Sequence, residues 1–238
     1  MKPMGGGGGN LTTVGYRPDG LKLAFHETHD CTARQCSSND AYWKIGITVK
    51  DLDHAVSFLH VQGVTVSKPA QFLDIGYLCH LQDPAGLSVE LLQQGFEGNE
   101  TKMDANDNDS HPIGGQATLA HITIRRDTLG FQEWCQDTMK MRLLSIQPVN
   151  PYGFTLYFYS WSDESLPDPN DLNSVENRPW LWARPYGLLE IQHTTTKDPF
   201  RLRPTAPNEC GPIEILVVDE TDGHETTQRI DCSKDLGL

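Results

Sequence analysis

The chain has 238 residues, 37% hydrophobic and 21% charged, the balance of a globular protein large enough for one large domain or two small ones. With 32 acidic against 19 basic side chains it carries a net charge of −13. It has no Lys/Arg stripe, which argues against nucleic acid as a partner, because a phosphate backbone needs such a stripe to displace its counterions. No apolar run reaches the roughly 20 residues that cross a bilayer, so no membrane partner is expected.

The N-terminus, MKPMGGGGGN, has neither the apolar stretch of a secretory signal nor the Arg/Ser-rich pattern of a transit peptide. Its five glycines form a lead-in. Six cysteines (Cys31, Cys36, Cys79, Cys135, Cys210 and Cys232) are scattered without Cys-x-x-Cys spacing, which points to reduced thiols and a cytoplasmic protein. His26, His29, Cys31 and Cys36 are the nearest approach to a metal cluster in the lead-in, but they lack ligand spacing. Within this lead-in, 1–41, VGYRPDGLKLAFHE (14–27) reads as a turn and one extra strand.

From residue 42 the chain becomes regular. YWKIGITVK (42–50) is β-branched and alternating, a strand. DLDHAVSFLHVQG follows, a helix capped at Asp51 or Asp53, with Ala55, Phe58 and Leu59 on one face and Gly63 at its end. VTVSKP, IGYLCHLQ and, after the turn DPAG (83–86), LSVELLQQ supply three more strands. Residues 42–96 thus form one βαβββ module. EGNETKMDANDNDSHPIGG (97–115) has almost no apolar side chain and reads as a linker.

The same order returns over 116–197. LAHITIR is a strand, and Asp127 is expected to cap a helix bearing Phe131, Trp134, Cys135, Thr138 and Met139. MRLLSIQPV, the turn NPYG (150–153) and FTLYFYSW lead through a polar insertion (162–179) to WLWARPYGLLEIQH. The tail, 198–238, holds one strand candidate, PIEILVVDE. The expected fold class is α+β: two βαβββ modules whose curved mixed sheets form a cup.

Alternation along strands selects the polar residues that face the inside of that cup. His121 and Arg125 lie opposite Ile122 and Ile124; Glu190 opposite Leu189 and Ile191; Glu90 opposite Val89 and Leu91; Lys44 opposite Ile45 and Ile47. The first and last strand of each module therefore each deliver one ionisable residue: Lys44 and Glu90, then His121 and Glu190. The ordinary reading of any one of them is a solvent-facing residue on a half-exposed sheet. Together, His121, Glu90 and Glu190 make a donor set suited to zinc, nickel, cobalt or manganese.

FTLYFYSWSDE, WLWARPYGLLEIQH and LAHITIRRDTLGFQEWCQDTMKMRLL resemble the N-terminal half of glyoxalase I, the lactoylglutathione lyase family of the vicinal oxygen chelate superfamily. WKIGITVKDLDHAVSFLHVQGVTV and LQDPAGLSVELL resemble its C-terminal half, so the modules stand in reversed order. The resemblance implies a metal-dependent lyase that isomerises the glutathione hemithioacetal of a 2-oxoaldehyde such as methylglyoxal, a detoxification. It implies Glu90, His121 and Glu190 as metal ligands, Glu90 and Glu190 as catalytic carboxylates, and Arg125 as a contact to the glutathione carboxylate.

Three residues depart from that pattern. Lys44 stands where a second histidine ligand is expected, and an ammonium has no lone pair for a metal; it becomes a candidate substrate contact or the occupant of the metal's place. Thr194 and Asp40 replace an asparagine and an arginine that would grip glutathione. The expected partner is a small molecule, a glutathione adduct by resemblance. The alternatives are another enzyme on this fold (an epimerase, dioxygenase or thiol transferase) and a non-catalytic binding protein closed by Lys44. The modules can pair within a monomer or across a homodimer.

Overall fold

The computed structural model describes residues 11–16, 21–26, 32, 35–98, 113–114, 117–194, 215–221 and 224–230. Among the described residues, twelve strands are arranged as one eight-stranded sheet and two separate hairpins. The central sheet begins with β3 (Tyr42–Val49), which leads to α1 (Leu52–Val61) and then to β4 (Ala70–Phe72), β5 (Gly76–Gln82) and β6 (Ser88–Gln93). Its second half comprises β7 (Thr118–Arg126), β8 (Arg142–Val149), β9 (Phe154–Ser160) and β10 (Leu188–Thr194). In space the order is β4-β5-β6-β3-β7-β10-β9-β8.

Each half therefore has its first and last strands side by side and parallel: β3 with β6, and β7 with β10. The two halves join where β3 and β7 run antiparallel. The join is irregular, with register shifts at Tyr42/Lys44 and at Gly46/Ile47, and such bulges sharpen the local twist of a sheet. One chain thus supplies both halves of a curled mixed sheet.

The sheet is covered on its outer side by two cores. Asp51 caps α1, its side chain accepting from the His54 amide at 2.9 Å, and Leu52, Ala55 and Val56 pack with Val49, Cys79, Val89 and Leu91. In the other half, Phe131, Cys135, Met139 and Met141 pack on Ile124, Tyr159 and Ile191. The segment above them is not the regular helix expected from its spacing. A short α-turn, α2 (Phe131–Glu133), passes into a π-helix (Trp134–Thr138), and the residue before it, Gly130, offers no side-chain cap, so Asp127 is not the N-cap. The wider π-turn still turns Phe131 and Cys135 onto the sheet, and that packing decides the geometry over the local cap signal.

A third core fills part of the cup itself. Leu92, Leu156, Phe158 and Leu188 from the sheet meet Leu181 and Trp182 from α3 (Asn177–Trp182), a helix at the end of the polar insertion. Trp182 donates its indole N–H to the Ile75 carbonyl at 2.9 Å, and Arg178 pairs with Asp74 at 2.8 Å. The insertion of the second half is thereby fastened to the β4–β5 turn of the first.

Three expectations are corrected. The strand expected over VTVSKP is reduced to a bridge from Val66 to Leu81, and the regular ladder starts at Ala70; Pro69 has no amide hydrogen to continue it. The lead-in carries two strands, not one: β1 (Leu11–Val14) and β2 (Leu23–His26) pair as a hairpin. The tail likewise holds two, β11 (Ile215–Thr221) and β12 (His224–Ile230), an antiparallel ladder whose second strand, HETTQRI, is too polar to be read as a strand until paired. His29, Cys31 and most of 97–115 lie outside the described residues. Among the described residues no helix is long and apolar enough to cross a membrane.

Candidate functional site

The β3–β7 join brings the two halves' ionisable residues together. Gly46 is the cross-strand neighbour of His121 on one side and of Glu90 on the other. Glu190 enters from β10, which lies beside β7 with Glu190 opposite Thr123. Lys44, Glu90, His121 and Glu190 are all buried.

The two carboxylates divide their oxygens between two sets of neighbours. Oε1 of Glu90 and Oε2 of Glu190 each lie 3.3 Å from Nε2 of His121. On the other side, Oε2 of Glu90 accepts from Lys44 Nζ and lies 3.0 Å from Nε2 of His80, while Oε1 of Glu190 is 4.0 Å from the ammonium. Burial alone would raise the Glu90 carboxyl; the Lys44 ammonium and the His121 and His80 imidazoles outweigh it and hold Glu90 well below the usual carboxylate range.

The contacts of His121 are close but not hydrogen bonds: neither of its ring nitrogens has a hydrogen-bond partner, and neither does Oε1 of Glu190. A buried lone pair left in this way is costly. His121, Glu90 and Glu190 each turn one donor atom to a common place, all within 4.8 Å of one another. This nitrogen-and-oxygen set fits a divalent transition metal, and Lys44 binds the outer oxygen of Glu90 instead of the face the carboxylates share with His121.

Above Glu90, Glu190 and Lys44 a cavity of about 300 Å³ opens. Trp43 and His80, both on its lining, are not singled out by the sequence reading. Trp43 is the extra residue of the Tyr42/Lys44 bulge, so it joins Lys44 on the cavity wall in spite of being its immediate neighbour. Both Lys44 and Arg125 lie over its ring, at 4.3 and 4.5 Å from the centroid. His80, opposite Glu90 on β5, shares a face with Leu78 and stacks near Trp43 with ring centroids 6.4 Å apart. The alternation that placed Glu90 also places His80, which a reading of IGYLCHLQ against its neighbour strand would have found.

Arg125 does not line the cavity. It donates from Nε to the Gln192 side-chain oxygen at 2.9 Å and from Nη1 to the Ser37 and Asp40 carbonyls at 3.3 Å each. Burial lowers its guanidinium to about 10. The Asp40 carboxylate accepts from the Ser37 amide at 2.9 Å, and Thr194 donates to the Gly153 carbonyl at 3.4 Å.

No protein-family model matches the sequence, and no curated protein matches it. Solved structures do. Glyoxalase I from Zea mays superimposes with a TM-score of 0.50 at 14% identity, over 77% of this chain and 53% of that one. Methylmalonyl-CoA epimerase from Mycobacterium tuberculosis matches with a TM-score of 0.36 at 16% identity, over 66% of this chain and 89% of that one. The chain spans about half the length of the maize enzyme. The likeness is one of fold: the chain has the cup-shaped α+β fold of glyoxalase I and the vicinal oxygen chelate proteins.

Proposed function

We propose that the cup is the active site of a metal-dependent isomerase or lyase of the glyoxalase type, acting on a small molecule with oxygens on two adjacent carbons. The reading rests on the division of carboxylate oxygens. Glu90 Oε1, Glu190 Oε2 and His121 Nε2 face one another, and the Lys44 ammonium takes the outer oxygen of Glu90. Glu90, His121 and Glu190 would hold zinc, nickel, cobalt or manganese. When bound, such an ion supplies Lewis acidity to the substrate oxygens.

The chain's own groups then divide the remaining work. Glu190 is the better placed carboxylate to take a proton from a carbon beside a carbonyl and return it to the next one. Its Oε1 has no hydrogen-bond partner, and the residue lines the cavity. Glu90 is held at Oε2 by Lys44, with Nε2 of His80 3.0 Å from the same oxygen, which makes it a firm ligand and a weak base. The apolar wall of Phe158 and Trp182 keeps water from the buried carboxylates.

A second reading is favoured by the Lys44–Glu90 contact: Lys44 is the resident cation of a closed site, and the cup only binds its ligand. One experiment separates the two. Protein incubated with zinc, nickel or cobalt and freed of excess is assayed for metal by elemental analysis. About one tightly held ion per chain, lost in Glu190→Gln, is the expected result. No metal in the native protein, with binding gained in Lys44→His, would replace the first reading by the second.

A further inference from the structure

The cavity over the carboxylates has a composition that bears on its ligand. Its floor is polar and buried: Lys44, Glu90 and Glu190. Its walls are ring faces and aliphatic chains, with Trp182 and Phe158 packed edge to face at 5.2 Å deep inside. The outermost lining residues are Phe72 from the first half and Tyr152 from the second, 5.4 Å apart, with Tyr152 62% exposed and Phe154 next to it at 6.3 Å. The mouth is thus an aromatic pair contributed by both halves of the sheet.

The ionisable side chains on the floor of the cavity lie against one another. Lys44 is paired with Glu90, His80 lies against the same carboxylate, and Glu190 faces His121. Arg125, over the Trp43 ring, is not on the lining and is held by Gln192, Ser37 and Asp40. A tripeptide adduct would bring two carboxylates and an ammonium to a space of about 300 Å³ that offers them ring faces, and an unpaired charge placed there costs several kcal/mol. Flat apolar bodies find the opposite, since they stack on those rings in offset or edge-to-face contact.

We infer that the ligand is a compact, uncharged molecule with a planar aromatic body and an adjacent pair of oxygens as its polar end, and not a glutathione adduct. The body lies between the Phe72–Tyr152 mouth and the Trp182–Phe158 wall, and the oxygens reach the carboxylate floor. The oxygen pair rests on the function proposed above; the aromatic body rests on the cavity alone.

Isothermal titration calorimetry of the full chain, with and without zinc, tests this with three probes: 2-hydroxyacetophenone, hydroxyacetone and S-methylglutathione. The aryl ketone is expected to bind about ten-fold more tightly than either of the others. Phe154→Ala, a partly buried wall residue, is expected to reduce that preference to near equality, and its melting temperature reports whether it folds. Tighter binding of S-methylglutathione, or no difference between aryl and alkyl ketone, overturns the inference. So does an aryl preference that survives in folded Phe154→Ala. Zinc content is read separately: aryl binding without zinc uptake removes the metal reading and leaves the aromatic body standing, whereas zinc uptake with glutathione preferred does the reverse.

Discussion

The imidazole of His121 lies against the α-carbon of Gly46, its partner across the β3–β7 ladder, so that a Cβ at position 46 would fall 2.0 Å from Cε1 of the ring. A side chain at 46 and an imidazole at 121 cannot share this place. The absence of a side chain at one residue in the first half thus allows the second half to deliver its nitrogen to the carboxylates.

Gly46→Ala should therefore displace His121 and weaken metal uptake, with a loss of about 1–3 kcal/mol in stability from overpacking. Chemical denaturation measures the stability, and elemental analysis the metal. Adding His121→Ala to Gly46→Ala removes the clash, so the double variant should be more stable than the sum of the single changes predicts. Strict additivity would show that the two residues do not compete for this space.

Lys44→Met keeps most of the side chain's length and removes the charge. Glu90 and Glu190 are then left buried without their cation, which should destabilise the metal-free protein by about 3 kcal/mol. Zinc supplies positive charge to the same carboxylates, so it should raise the melting temperature of Lys44→Met by more than that of the native protein. If metal-free Lys44→Met melts with the native protein, Lys44 is not needed to hold the carboxylates.

Arg178 and Asp74 are an unequal pair: the arginine is 2% exposed in its side chain and the aspartate 51%. Arg178 also donates to the Asp74 backbone carbonyl, a contact that does not depend on the carboxylate. Arg178→Ala should therefore cost about 2 kcal/mol, and Asp74→Asn under about 1 kcal/mol, as an exposed ion pair does. Urea midpoints of the two variants check this; equal losses would mean that the carboxylate is the main tie of α3 to the β4–β5 turn.

Burial pushes the Cys79 and Cys135 thiols up from 9.0 to about 12. In the unfolded chain these thiols ionise near 9, so between there and about 12 the native state holds protons that the unfolded state has lost. Stability present below pH 9 should accordingly fall as pH rises through this window. The urea midpoint should drop between about pH 8 and pH 10, and Cys79→Ala with Cys135→Ala should flatten that drop. Native-state alkylation followed by mass spectrometry should leave both thiols unmodified at neutral pH; rapid labelling of either would contradict the burial.

Much of the site was legible because strand alternation is a local rule. Ile122 and Ile124 on one side of β7, and Val89 and Leu91 on one side of β6, determine where His121 and Glu90 point before any partner strand is known. Where a bulge breaks the rule, the reading fails. Trp43 was assigned no place on the cup because the sequence does not mark the extra residue that turns it beside Lys44. The π-turn after Phe131 was missed for a similar reason, since one face of apolar residues is compatible with more than one helical pitch.

The βαβββ succession of each half, the faces of its main strands and the ionisable residues that those faces carry were legible locally, because each depends on residues a few positions apart. What these groups do to one another follows from long-range pairing. That Glu90 turns one oxygen to His121 and the other to Lys44, that Arg125 is held outside the cavity, and that α3 closes part of the cup all depend on the β3–β7 register and on contacts such as Arg178 with Asp74, 104 residues apart. Such pairings are set by the summed packing of the whole sheet, which no short stretch of the chain encodes.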